Sequence, residues 1–292
     1  MHVSLFIELS KIVVLDLSNN LFDNLSLEMI SDSLSRNNNL LELKLENVGL
    51  NVKNGHYINE ILSKNCSILH YNLSRNEFKG NVLQIFLEVL TLTKTVLTFD
   101  ISYNKLQEDD LFNIGSMLMN NNTLENINIS GSSFTSISME IIQKALKNKN
   151  VTNIKICYLN NINLNDDLAF MLLQNFNETK LEEFYLDSNY LGDTGVVIFS
   201  NFIKNNKKLR KLSLNSSNIS SHIFFCLTKA IEINEKLEEL FYMNNNIDCN
   251  SIAFIKEVVM NKPESFSIFL SLSSIDKKEI SGLQAISQIK LY

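Results

Sequence analysis

Leu181-Glu-Glu-Phe184-Tyr-Leu186-Asp-Ser-Asn189-Tyr-Leu191-Gly192-Asp-Thr-Gly195 is the stretch that decides the fold of this chain. With Leu181 as place 1, apolar residues stand at places 1, 4, 6 and 11, and Asn189 takes place 9. Alternation over the first part predicts a short strand with one face turned inward. The continuation, Val196-Val-Ile-Phe-Ser-Asn-Phe-Ile203-Lys-Asn-Asn, carries apolar residues at helical spacing. The period therefore changes from about 2 to about 3.6 inside one unit, and the unit is a strand followed by a helix.

The same unit recurs along the chain. Its copies begin at Ile12, Leu40, Ile68, Val96, Leu124, Val151, Leu181, Leu209, Leu237 and Ser265, always 28 residues apart except for 27 into Val151 and 30 out of it. In the first copy Ile12, Leu15, Leu17 and Phe22 take the inward places, Asn20 takes the ninth, and Met29, Ile30 and Leu34 form the helical stripe. A lone strand–helix pair cannot bury its apolar side, so neighbouring units must stack. Parallel strands then lie about 4.8 Å apart. Helices are wider, so the stack is expected to curve into an α/β horseshoe with strands on the concave face and helices on the convex face.

This reading makes residues 12–292 one repeat domain of about ten units. Residues 1–11, with Leu5, Phe6 and Leu9 at helical spacing, become the outer helix of an incomplete leading repeat. The ninth-place amides (Asn20, Asn76, Asn104, Asn189, Asn245) are suited to satisfying backbone groups where each strand turns away. Ser132, Ser217 and Ser273 are shorter substitutes, and Val48 has no such group, which predicts a looser turn in the second unit. The sixth unit, read from Val151, is irregular, and its insertion is expected after the strand, near residues 160–167. Ile286, Ile289 and Leu291 have the pattern of a further strand, and open ends of the stack are expected to be covered by a partner or by additional repeats.

The 28-residue period, the ninth-place Asn and a full helix in every unit resemble the ribonuclease-inhibitor type of leucine-rich repeat, over essentially residues 12–292. That resemblance implies a binding scaffold. The family includes nuclease inhibitors, innate-immune sensors, actin-end cappers, Ran GTPase activators and axonemal scaffolds. Most units here depart from its pattern by lacking a glycine where the helix opens, Gly195 being the good match, and the alternating Cys-rich units of mammalian ribonuclease inhibitors are absent.

Composition narrows the function classes. A net charge of −6 argues against a nucleic-acid partner, which calls for a basic face. Cys66, Cys157, Cys226 and Cys249 form no CxxC pair, which suits reduced thiols in a cytoplasmic protein. No apolar run reaches 18 residues, so no membrane span is expected. His2, His56, His70 and His222 fall in different units without metal-ligand spacing, and no nucleophile or phosphate-binding motif occurs. The expectation is therefore no enzyme, no cofactor and no metal. The alternative is a GTPase activator of the Ran-activator kind, with Arg75 at the strand exit of the third unit as the rim residue. A third reading is a structural subunit of a cytoskeletal or axonemal assembly.

Places 5 and 7 point out of the strands on the concave side. In the first six units they are mostly small or polar: Asp16 and Ser18, Lys44 and Glu46, Asn72 and Ser74, Asp100 and Ser102, Asn128 and Ser130, Lys155 and Cys157. From the seventh they become Tyr185 and Asp187, Ser213 and Asn215, Phe241 and Met243, Phe269 and Ser271. Aromatic residues and Met on such a face suit a protein-binding surface, and the candidate residues are Tyr185, Asp187, Phe241, Met243 and Phe269. The competing reading is that a C-terminal segment or a further unit folds over them. Glu182–Glu183, Arg210–Lys211 and Glu238–Glu239 are expected to form a ladder of alternating sign. Val13, Leu41, Leu69 and Leu97 at place 2 are expected to fill core at the strand beginnings.

Overall fold

The computed structural model describes residues 11–148, 153–174, 179–271, 275 and 277–292. The leading helix expected over residues 1–11 lies outside them but for residue 11, as does Ser273. Strands and helices alternate throughout, and the chain divides into two compact units, Met1–Ser133 with Lys144–Ile154, and Phe134–Gln143 with Lys155–Tyr292.

The first unit holds β1 (Val14–Asp16), α1 (Asn24–Arg36), β2 (Glu42–Lys44), α2 (His56–Lys64), β3 (His70–Asn72), α3 (Asn81–Leu92), β4 (Thr98–Asp100), α4 (Glu108–Leu118) and β5 (Asn126–Asn128). Helix α5 (Ser136–Lys147) spans the division. The second unit holds β6 (Ile156–Tyr158), α6 (Asp166–Leu173), β7 (Glu183–Tyr185), α7 (Asp193–Asn205), β8 (Lys211–Ser213), α8 (Phe224–Ile233), β9 (Glu239–Phe241), α9 (Cys249–Asn261), β10 (Ser267–Leu270), α10 (Lys277–Gln284) and β11 (Ile289–Leu291).

Within each unit every strand pairs in parallel with its neighbour in sequence. Leu15 lies beside Leu43, Tyr71 beside Phe99, and Leu212 beside Leu240. Each of these pairs joins two fourth-place residues one repeat apart, so the period of the sequence sets the register. Side chains at places 4 and 6 turn toward the helices and are buried, as for Leu43 and Leu45, or Leu212 and Leu214. An aromatic cluster fills part of the first core, where Phe86 on α3 contacts Tyr71, Phe78 and Phe99 at ring separations of 5.0–5.9 Å.

Two ladders of buried amides tie repeat to repeat. In the first, the ninth-place Asn76 donates to the carbonyl of Leu45 and accepts from the backbone N–H groups of Val48, Gly49 and Leu50. Asn189 does the same for Ile162 and Leu164. The amide thus serves the turn of the preceding unit. The second unit's turn is supported by Asn76 despite Val48, which corrects the expectation of looseness there. The first and fifth turns lack such an amide: Phe22 N–H meets the carbonyl of Val48 at 3.3 Å and Phe134 N–H that of Ile162 at 3.5 Å, and Leu21 in the first stands 85% exposed.

The second ladder runs three residues before Leu40, Ile68, Leu124, Leu209 and Leu237. Asn65 donates to the carbonyls of Leu34 and Asn37 and accepts from Ser67 and Ile68 N–H. Asn121, Asn206 and Asn234 accept from the chain ahead of them in the same way. These residues end the helices and aim the chain into the next strand.

The sixth repeat is phased differently from the sequence expectation. Cys157 lies beside Phe184, a fourth-place residue, so the repeat begins at Ile154 and not at Val151. The extra residues then precede the strand, and the chain from Asn160 to Asp167 has the ordinary layout of a turn leading into α6. Ile154, Cys157 and Leu159, at places 1, 4 and 6 of this phase, are buried. Val151-Thr-Asn-Ile154 mimics the spacing between places 1 and 4, which is why the sequence offers two phases.

Candidate functional site

Because places 4 and 6 face the helices, places 3, 5 and 7 form the open face of each sheet. In the first unit this face is polar and its groups bond to one another. Ser102 donates through both N–H and Oγ to Asp100, and Asn128 Nδ2 donates to Asp100 at 2.8 Å. Ser74 donates in the same double fashion to Asn72. Burial pushes the Asp100 carboxyl above the usual range, against the pull of these donors.

In the second unit the fifth places of β6, β7, β9 and β10 carry rings. Tyr158 and Tyr185 stack with centroids 4.3 Å apart and planes 10° from parallel. Phe241 and Phe269 stack at 4.2 Å and 12°, and Tyr292 continues the row 6.0 Å from Phe269. Stacks arise because adjacent parallel strands carry like places about 4.8 Å apart, near the spacing of offset rings. All these rings are partly exposed, as is Met243, and Tyr292 is 67% exposed. The candidates Tyr185, Phe241 and Phe269 therefore share one face, with Met243 two places along β9 from Phe241. Strand β11 continues the sheet beside β10, so residues 289–292 extend this face.

Tyr158 is the residue that sequence reasoning missed. The phase slip at Val151 put Lys155 and Cys157 on the open face, whereas Tyr158 and Asn160 take those positions. Cys157 is fully buried, and burial pushes its thiol up to about 12. Counting back one 28-residue period from Leu181 lands on Asn153, next to Ile154 and two residues past Val151, so the period leans toward Ile154 without fixing the phase.

Polar groups frame the rings. Asp187 accepts from Ser213 Oγ, from Asn215 N–H at 2.9 Å and from Asn215 Nδ2 at 3.3 Å. Asn215 in turn accepts from Met243 N–H at 2.7 Å. Along place 3, Lys211 lies 3.5 Å from Glu183 and 3.4 Å from Glu239. Burial alone would lower the Lys211 ammonium, but the two carboxylates outweigh it and hold it above its usual value. Tyr185 hydroxyl donates to Glu183 at 2.7 Å. Burial, followed by that bond to a carboxylate, raises the phenol well above its ordinary range. Arg210 makes a two-pronged contact with Glu238 at 3.0 and 2.8 Å, so the ladder of alternating charge is formed.

The rim residue Arg75 is held by its surroundings. Its Nε lies 3.1 Å from Glu46 Oε1 and its guanidinium 4.8 Å over the Tyr103 ring, beside a shallow depression of about 400 Å³ that Leu21 and Lys105 also line. Any reach toward a bound GTPase must first break those contacts. The place-2 ladder is also unlike its expectation: Val13 is 49% and Leu41 39% exposed, with Leu69 and Leu97 partly so, because place 2 precedes the strand and no helix covers it.

Among the described residues no group of three or more His, Cys, Asp or Glu could hold a metal ion, and no helix is long and apolar enough to cross a membrane.

No family model matches the chain. The mouse (Mus musculus) NACHT, LRR and PYD domains-containing protein 4E is 27% identical over 164 residues, 56% of this chain and 16% of that protein. The mouse NACHT, LRR and PYD domains-containing protein 5 is 26% identical over 240 residues, 78% of this chain and 20% of that protein. The chain thus spans a fifth or less of the length of these curated relatives. Among solved structures, the leucine-rich repeat-containing protein LegL7 from Legionella pneumophila superposes with a TM-score of 0.56 at 15% identity, covering 96% of this chain and 82% of that one. That likeness is one of fold.

Proposed function

The chain being a leucine-rich-repeat solenoid of the ribonuclease-inhibitor type, we propose that it is a non-catalytic scaffold that binds a protein partner through the concave face, with the aromatic surface of the second unit as the contact. The observation that carries this reading is the pair of partly exposed stacks, Tyr158–Tyr185 and Phe241–Phe269–Tyr292, at places where the first unit has only small or polar groups. Rings fixed by stacking lose little freedom when a partner covers them, and aromatic anchors dominate protein interfaces. Tyr185, Phe241, Met243 and Phe269 are the proposed anchors, with Tyr158 added. Asp187 holds the floor between them.

The test compares the wild type with Phe241→Ala/Phe269→Ala in affinity capture from lysate, followed by titration of the purified partner. Two anchors at about 2 kcal/mol each predict a loss of affinity of several hundredfold, with the far-UV circular dichroism unchanged. A partner whose affinity stays within threefold would remove the aromatic face from consideration.

A further inference from the structure

The helices of the second unit carry an apolar feature of their own, on the side away from the sheet. Counted from Ile154, Leu181, Leu209 and Leu237, place 17 holds Phe170, Val197, Phe225 and Ala253, and place 18 holds Met171, Ile198, Cys226 and Phe254. No charged or amide side chain interrupts these eight positions on α6, α7, α8 and α9. In the first unit place 17 reads Glu28, His56, Gln84 and Phe112, a largely polar helix surface. Phe170, Val197 and Phe225 are 40–53% exposed, and the residues at place 18 are half-buried.

Contacts join these side chains into one band. Phe170 and Ile198 line a groove of about 220 Å³ between α6 and α7. Phe225 on α8 and Phe254 on α9 lie with ring centroids 4.8 Å apart, and Lys229 Nζ stands 5.8 Å from the Phe225 ring. A contiguous exposed apolar patch of this kind, rimmed by polar groups, marks an interaction surface.

The charges beside the band are divided by sign. Asp166, Asp167 and Asp193 stand where α6 and α7 begin, and Lys204, Lys207 and Lys208 stand where α7 ends. The three lysines are exposed and make no ion pair among the described residues. Asp193 accepts from His222 Nε2 at 2.8 Å and from Ser220 Oγ at 3.1 Å, and its carboxylate stays 55% exposed. On α7 the band lies midway between the flanks, with Asp193 five residues before Ile198 and Lys204 six after it.

Such a surface is complementary to itself. A second copy turned about a twofold axis along the band lays its basic flank over the acidic flank of the first, and the reverse, while the band meets its own image. An anionic lipid surface would meet the three aspartates together with the lysines, so the same charges favour it less. We propose that this band is where two copies of the chain associate, α7 against α7, with Asp193 of each copy facing Lys204 of the other. The contact lies on the opposite side of the unit from the rings of the sheet and does not depend on the concave-face reading.

The experiment is sedimentation equilibrium of the full chain under reducing conditions, since Cys66 and Cys249 are exposed. The average mass should rise from one copy toward two as concentration is raised through the micromolar range, because eight positions a side make a small interface. Val197→Asp sets two carboxylates against each other at the axis and should weaken association at least about tenfold. Lys204→Glu and Asp193→Lys should each weaken it about fivefold when tested alone. Mixed in equal amounts, these two variants should associate to within about twofold of wild type, because each offers the charge the other lacks. That rescue requires both chains to be folded, and it decides the matter where Val197→Asp does not fold. Phe241→Ala/Phe269→Ala should associate as the wild type does. A single mass at every concentration overturns the proposal, and flotation of that monomer with vesicles of anionic lipid, lost on Val197→Asp, would assign the band to a lipid surface instead. A folded Val197→Asp chain that associates unchanged, or a mixture no tighter than its components, also overturns it. Loss of association on Phe241→Ala/Phe269→Ala would overturn the band and place the self-contact on the rings of the sheet.

Discussion

Replacing Asn234 by Ala tests whether the repeats are joined mainly by the amide ladder at the helix ends. The Asn234 side chain is 2% exposed and makes four backbone hydrogen bonds. It donates to the carbonyls of Ile203 and Asn206 at 2.6 and 2.8 Å, and accepts from Lys236 and Leu237 N–H at 2.8 and 2.7 Å. At about 1 kcal/mol net for each bond, the loss is about 4 kcal/mol, because alanine leaves all four groups without this partner, three of them buried. Asn206 is the internal control. It accepts from Lys208 and Leu209 N–H in the same geometry, but its Nδ2 meets no acceptor among the described residues. Asn206→Ala should therefore cost about 2 kcal/mol, half as much, at an equally buried position of the same ladder. Urea unfolding followed by far-UV circular dichroism measures both. Hydrogen exchange localises the effect, which should appear as lost protection at Lys236 and Leu237 in the first variant and at Lys208 and Leu209 in the second. Equal destabilisation by the two substitutions would show that burial of the side chain, and not its bonds across repeats, sets the cost.

Three further outcomes follow from groups at odds with their surroundings. Lys262 stands where the ladder calls for Asn; it reaches the carbonyl of Asn234, and burial lowers its ammonium below the usual value. Lys262→Asn restores the neutral bridge and should raise stability by about 1 kcal/mol in the same urea assay. Tyr242 is fully buried with no partner for its hydroxyl among the described residues, so Tyr242→Phe should stabilise by about 1 kcal/mol, whereas a loss would reveal a bond the hydroxyl makes. Asp100 has its folded-state pKa raised, chiefly by burial. A carboxyl raised in the folded state favours folding below its folded pKa and loses that contribution as pH rises through it. Wild type should thus lose stability relative to Asp100→Asn as pH is taken from acid to neutral; a gap that does not move, or moves the other way, refutes the assignment.

The fold was legible because the repeat imposes the same demand in every unit. Places 1, 4 and 6 must be apolar to meet the helices, so the period alone predicts the strands, their register and which face is buried. The failures occur where that demand is ambiguous or is made by another part of the chain. Val151 and Ile154 both satisfy the first place, and only the pairing of Cys157 with Phe184 separates them. The second amide ladder is visible as Asn three residues ahead of Leu40, Ile68, Leu124, Leu209 and Leu237, yet in an Asn-rich chain nothing marks those residues as bridging. Gly195 shows the same limit, since what calls for glycine there is Asp166 in the preceding repeat, whose Oδ1 would lie 2.5 Å from an added Cβ. The candidate anchors were legible because a fifth-place ring has no helix to meet. Tyr158 was hidden only by the phase.

The contrast between the two open faces explains why one and not the other is the proposed contact. On the first, Asp100, Asn128, Ser102, Asn72 and Ser74 already bond among themselves, and a partner would have to replace those bonds with others of similar strength for little net gain. On the second, the polar groups are likewise occupied, with Asp187 held by Ser213 and Asn215, but the rings above them have unused faces. Covering a partly exposed ring gains free energy in proportion to apolar area without breaking any bond. The hydrogen-bonded floor fixes the strands that carry Tyr158, Tyr185, Phe241 and Phe269, so little order remains to be imposed on association. A polar network beneath and ring faces above is thus an arrangement in which Asp187→Ala should weaken binding indirectly, by loosening Ser213 and Asn215 under the rings, and by less than the loss of Phe241. An effect of Asp187→Ala exceeding that of Phe241→Ala would mean that the carboxylate itself meets the partner, and would move the centre of the contact from the rings to the floor.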